Sequence, residues 1–238
     1  MTRPQGLRRF TMPPQQAAAR PAAAGPGAPP AATGPAGMGQ PSGADEEHCE
    51  FCSAGIPAGH SHVADLEQSS LMCACRACYL LFTQPGAGRA RYRSVPDRYL
   101  RDPDRTLSAA EWDELQIPVG LVFFLYRSEP GELGCFYPSP AGATECALDL
   151  PAWQRLAAGH PLLSQAEPDV EAVLISQDES AGIEYFIVPV DACYELAGRM
   201  RMLWRGFDGG TEARQSIAEF LAGVRHRAKA APLGHSHG

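Results

Sequence analysis

The stretch VEAVLISQDESAGIEYFIVPVDACYELAGRMRMLWRG, Val170–Gly206, decides the fold class. Two apolar runs, VEAVLIS (170–176) and IEYFIVPV (183–190), flank QDESAG, whose composition is that of a turn. Runs of this length, rich in β-branched and aromatic residues, read as the two strands of a hairpin. Asp191 reads as the cap of the helix that follows. Cys193, Leu196, Ala197, Met200, Leu203 and Trp204 recur at helical spacing and form one apolar stripe. Gly206 is placed to stop that helix. A hairpin that feeds directly into an amphipathic helix predicts an α+β fold with an antiparallel sheet.

The same signals extend in both directions. Upstream, VGLVFFLYR (119–127) reads as a buried strand, SEPGELG as a turn, CFYP (135–138) as its partner and TECALDL (144–150) as a third strand. Pro151 is suited to open a short helix carrying Trp153 and Leu156, with Gly159 closing it. Ser108 has the position of an N-cap for AAEWDELQ, with Glu111 completing a capping box. Downstream, Thr211 starts a last helix with Ile217, Phe220, Leu221 and Val224 on one face. The expected body, residues 118–228, is therefore an antiparallel sheet with C-terminal helices packed on it. Residues 85–117 form a basic connector and short helix. A small Cys-rich knuckle precedes them at 45–84.

That knuckle is the chemically distinctive part of the chain. Cys49 to Phe82, CEFCSAGIPAGHSHVADLEQSSLMCACRACYLLF, holds five of the eight cysteines and two of the seven histidines. A local Cys-x-x-Cys pair can place two sulfurs on one ion, and a closed structural zinc site takes four such ligands. Cys49 and Cys52 supply one pair, and Cys75 and Cys78 the other. Cys73 stands close enough in sequence to replace Cys75, and His60 and His62 point the same way from an extended segment. Zinc is the expected metal, with an iron–sulfur cluster on four of the thiols as the alternative. Free or redox thiols without metal are a third reading. Seven candidate ligands exceed what one closed site needs, which would suit a second metal or a site that exchanges ligands. Cys135, Cys146 and Cys193 sit singly in apolar contexts and read as small buried hydrophobes.

Composition narrows the function classes. Eight cysteines without an export signal favour metal binding over a disulfide framework, and a cytoplasmic location is expected. No run approaches the ~18 apolar residues of a membrane span. The net charge is −7, and residues 1–44 carry four arginines and no acid, so the rest of the chain is at −11. That balance argues against nucleic-acid binding, although six arginines between Arg89 and Arg105 leave a zinc-ribbon nucleic-acid binder as a lesser alternative to a salt-bridged connector. Phosphate-cradling, HExxH and GxSxG motifs are absent, so an enzyme is not the expected reading, though a novel site stays open. Residues 1–44, dominated by Ala, Pro and Gly, are expected to be disordered, as is the tail 229–238 with its GHSHG end.

The segments YPSPAGATEC (137–146), PDVEAVLI (168–175), VPVDACYELAGRMRMLWRGFDGG (188–210) and the CEFC…HSH…CACRACYLLF knuckle resemble the DUF5947 family of bacterial proteins over roughly residues 45–222. One departure is Cys146, at a position where that pattern leads one to expect serine. The resemblance implies a context, not a mechanism. Members are typically encoded beside actinobacterial-type [NiFe] hydrogenases, so a metal-binding accessory role in hydrogenase assembly is expected, with hydrogenase subunits or maturation factors as partners. An iron–sulfur electron-transfer protein serving a hydrogenase is the alternative. The resemblance supplies no catalytic residue.

Overall fold

A computed structural model describes residues 47–84, 86–88, 91–178, 182–206 and 209–232. The expected tail at 1–44 and the GHSHG end lie outside these residues. Among the described residues, the first sheet is small and antiparallel. Strand β1 (Ser61–Asp65) pairs with β2 (Ser70–Ala74), helix α1 (Arg76–Leu81) follows, and β3 (Tyr92–Ser94) returns to pair with β1. The body then runs through β4 (Leu100–Arg101), α2 (Ala109–Glu114), β5 (Leu121–Arg127), β6 (Glu132–Ser139), β7 (Gly142–Cys146), α3 (Leu150–Gly159) and a 3-10 turn at Pro161–Ser164. It ends with β8 (Glu171–Asp178), β9 (Gly182–Pro189), α4 (Val190–Leu203), α5 (Gly210–Arg227) and β10 (Lys229–Ala230). These strands form a seven-stranded sheet in the order β10-β4-β9-β8-β5-β6-β7, antiparallel except where β10 joins β4. The chain is α+β, with the C-terminal helices on one face of an antiparallel sheet.

Both faces of that sheet are covered, which explains why its central strands are continuously apolar instead of alternating. Successive residues of one strand point to opposite faces. Phe123 and Leu125 of β5, with Leu174 of β8 and Phe186 of β9, join the core under α4 and α5. Val122, Phe124, Val173 and Ile187 join a second core with Trp112 of α2, Trp153 of α3 and Leu162. The knuckle sheet lies against the first core through Ala64, Val95, Leu66 and Leu71.

Several local expectations are refined by the structure. The third strand ends at Cys146, and the rest of TECALDL turns into α3, where Asp149 caps by accepting from the Ala152 N–H at 3.0 Å. Pro189, not Asp191, occupies the N-cap of α4, which frees the Asp191 carboxylate for another partner. Residues 229 and 230, expected within a structureless tail, instead extend the sheet. The Lys229 N–H donates to Tyr99 O and the Ala231 N–H to Arg101 O, both at 2.9 Å.

The capping box at α2 forms as the sequence implies, and it carries more than a helix end. Glu111 accepts from the Ser108 N–H at 2.8 Å and the Ser108 hydroxyl at 2.7 Å, while its other oxygen lies 3.0 Å from His160 Nε2. His160 is buried and continues the chain of contacts to the Tyr185 hydroxyl at 3.1 Å. The two Ser108 donors, and then His160, hold the Glu111 carboxyl down to about 2. A carboxyl depressed below its unfolded value, ~4.3, stabilises the fold above that value and loses the contribution as pH falls through the folded one. Wild-type urea midpoints are therefore expected to fall between about pH 4.3 and 2, and Glu111→Gln to flatten part of that fall. An unchanged pH profile in the variant would show that Glu111 makes no such contribution.

Candidate metal centre

Four thiols converge because two local turns each point a pair of sulfurs inward. At the first, the Cys49 N–H donates to Ala54 O at 2.8 Å and the Ser53 N–H to Cys49 O at 2.7 Å. Ser53 takes a left-handed backbone conformation (φ 59°) to close the turn. At the second, Cys75 is the N-cap of α1, and its Sγ accepts from the Cys78 N–H at 3.5 Å. The β1–β2 hairpin carries the chain from one pair to the other, and the Glu50 N–H donates to Cys73 O at 2.9 Å, fastening the first turn to the hairpin.

The sulfurs of Cys49, Cys52, Cys75 and Cys78 all lie within 4.8 Å of one another, and Cys52 and Cys75 are 3.7 Å apart. Tetrahedral zinc with Zn–S bonds of ~2.3 Å holds its sulfurs ~3.8 Å apart, so the set fits one ion with little adjustment. The electrostatics agree with that reading. Burial pushes the Cys49 thiol up, but the backbone N–H groups of Cys75, Phe51 and Cys52 more than offset this, and it settles lowered, at about 6. Burial and shared hydrogen bonds with Cys52, Cys75 and Cys49 push Cys78 up to about 12. A cation bound among the sulfurs would allow four thiolates to coexist there.

The remaining three candidates form a separate group. His60, His62 and Cys73 place their ligand atoms within 4.8 Å of one another, and the two imidazole centroids are 4.6 Å apart. His62 and Cys73 are direct cross-strand partners in the β1–β2 hairpin. Outside the group, His60 Nδ1 lies 3.0 Å from Pro57 O and 3.2 Å from a Glu47 oxygen, and His62 Nδ1 lies 2.8 Å from Asp191 Oδ2. Cys75 belongs to the four-thiol set and Cys73 does not. The role of Asp191 has no local sequence signal, since it sits 129 residues from His62.

The other features singled out in the sequence have structural explanations. Arg91 pairs with buried Asp65 at 2.7 Å, Arg93 with Asp169 at 3.3 Å, and Arg98 with buried Glu171. These three arginines brace the knuckle and the body through carboxylates of β1, β8 and the loop before β8. In the apolar run at Tyr79–Phe82, the Tyr79 hydroxyl donates to Val95 O at 3.1 Å. Phe82 packs on Phe51 and Tyr92 at centroid distances of 5.0 and 5.4 Å, inside the knuckle, while Leu80 and Leu81 are exposed. Cys193 is fully buried, as expected of a small hydrophobe. Cys135 and Cys146 are not single: they are opposite one another on β6 and β7 with their sulfurs 2.7 Å apart. Burial and that neighbour push the Cys135 thiol well above its ordinary range.

A family model described as a family of unknown function, DUF5947, matches residues 48–228, which include both ligand groups and nearly the whole body. A search of curated proteins found no match, and neither did a search of solved structures. Among the described residues, no helix is long and apolar enough to cross a membrane.

Proposed function

The chain belongs to the DUF5947 family of unknown function, and from that premise we propose that it is a cytoplasmic zinc-binding accessory protein for [NiFe]-hydrogenase assembly or function. It acts by protein contacts, with the four-thiol knuckle as its rigid structural element. The observation that carries the metal part is the convergence of Cys49, Cys52, Cys75 and Cys78 at single-ion spacing. All four ligands come from the chain, as in closed structural zinc sites. Sulfurs gathered this closely suit one ion better than a polynuclear cluster, whose irons are each held by separate thiolates. The hydrogenase part rests on the family resemblance described above.

The two parts are tested separately. Anaerobically purified protein is expected to be colourless and to carry tightly held zinc that is lost in Cys49→Ala and Cys78→Ala. A coloured, iron-containing protein would replace this reading with the electron-transfer alternative. Deleting the gene in its host is expected to lower hydrogenase activity and to leave its subunits incompletely assembled. Full activity with normal assembly would sink the accessory role.

A further inference from the structure

We propose a second metal site, formed by His60 Nε2, His62 Nε2 and Cys73 Sγ, which binds a late first-row divalent transition cation with one coordination position left open. The site uses none of the four thiols of the first centre.

Three observations converge on it. First, one ring nitrogen each of His60 and His62 and the Cys73 sulfur lie within 4.8 Å of one another, close enough for modest side-chain rotation to bring all three residues onto one ion. Second, each outer nitrogen faces an acceptor. Pro57 O can only accept, so His60 Nδ1, 3.0 Å away, carries a proton, and the neutral ring presents its lone pair at Nε2. The Asp191 carboxylate likewise accepts from His62 Nδ1 at 2.8 Å, so the neutral His62 ring also presents Nε2. A metal-ligating histidine almost always donates its other N–H to a carboxylate or backbone carbonyl, and here the pair shows one of each. Third, the side chain of His60 is only 6% exposed, and its Nε2 is buried without a hydrogen-bond partner. A ring nitrogen taken out of water and given no protein partner is open to a metal ion.

The register of the hairpin builds this arrangement. His60 and His62 are two residues apart on an extended segment and so share one face, and Cys73 stands directly across from His62 on β2. Two imidazoles and one thiolate suit Zn²⁺, Co²⁺ or Ni²⁺ better than hard cations such as Mg²⁺ or Ca²⁺. Three protein ligands leave a position for water or for a donor from another molecule, the pattern of an open site rather than a closed structural one. The contact from His62 to Asp191 also ties the site to the first turn of α4.

The test uses the full-length reduced protein with its four-thiol site loaded. Cobalt(II) is titrated in, unbound ion is removed by gel filtration, and the cobalt bound and its visible spectrum are recorded. Wild type is expected to take up one further equivalent of cobalt with a thiolate-to-metal absorption band. Cys73→Ser and His60→Gln are each expected to lose that equivalent while keeping the four-thiol metal and the wild-type circular dichroism. Asp191→Asn is expected to keep the stoichiometry but weaken binding roughly 10–100-fold, the usual cost of losing the carboxylate behind a ligating histidine. Replacing His235 and His237 by alanine controls for the tail and should change nothing. The proposal is overturned if Cys73→Ser binds as much cobalt as wild type. It is equally overturned if the extra equivalent disappears with the tail histidines, or if Cys73→Ser also releases the four-thiol metal.

Discussion

Removing the metal from the four-thiol site is expected to melt residues 47–94 while leaving the seven-stranded sheet folded. The knuckle has little apolar interior of its own, although Ala64, Val95, Leu66 and Leu71 seat it on the body core. Its fully buried apolar side chains are few and small, chiefly Val63, Ala64, Ala74 and Val95, with the Phe51, Phe82 and Tyr92 rings clustered at its edge. Segments of this size bury too little apolar surface to fold on that alone, and metals or disulfides usually make up the deficit. Structural zinc contributes about 10–16 kcal/mol of apparent binding free energy, and in such sites binding energy is folding energy. Chelation, or Cys78→Ser, should therefore reduce the amide-exchange protection of β1, β2 and α1 by several kcal/mol. The body offers an internal control. Trp112 and Trp153 lie in the core on the far side of the sheet from the knuckle, so their fluorescence should change little. Wild-type protection in the knuckle after complete metal loss would show that the hairpin holds itself and that the thiols have another purpose.

The contrast between knuckle and body explains what could be read from the sequence. The hairpin at 170–190 and helix α4 announce themselves because each is a long local pattern, and the capping box at Ser108 and Glu111 is complete within four residues. The β1–β2 hairpin is weaker in sequence: SHVAD and SLMCA are short, each starts on a serine, and they are easily taken for loop. Strands β4 and β10 are two residues each and exist only through their partners. All seven candidate ligands were legible from residue type and spacing alone. Their division into a group of four and a group of three was not, because it depends on the register that sets His62 against Cys73. The same limit applies to the arginines at 91, 93 and 98. Composition cannot separate a phosphate-binding strip from internal braces when the acidic partners lie 26 to 76 residues away.

One of those braces carries the second large effect. Arg98→Ala is expected to destabilise the protein by about 3 kcal/mol, because it strands a buried carboxylate. The Glu171 side chain is wholly inaccessible, at the start of β8, where Arg98 Nε donates to Oε1 at 2.7 Å and its terminal nitrogen to the other oxygen. Without Arg98, the Glu167 N–H at 2.9 Å is the protein donor that remains among the described contacts. Losing one partner of a buried pair costs 3–5 kcal/mol, and the lower figure applies because the Arg98 side chain is 37% exposed and water can follow it in. The cost comes from the uncompensated charge more than from the lost attraction, and this has a testable consequence. Glu171→Gln on the Arg98→Ala background should restore much of the stability, since the amide keeps the shape of the side chain without its charge. A double-mutant cycle read from urea midpoints measures the coupling directly. If Arg98→Ala falls within about 0.5 kcal/mol of wild type, the range of an ordinary surface substitution, the pair is not the brace between connector and sheet that its burial implies.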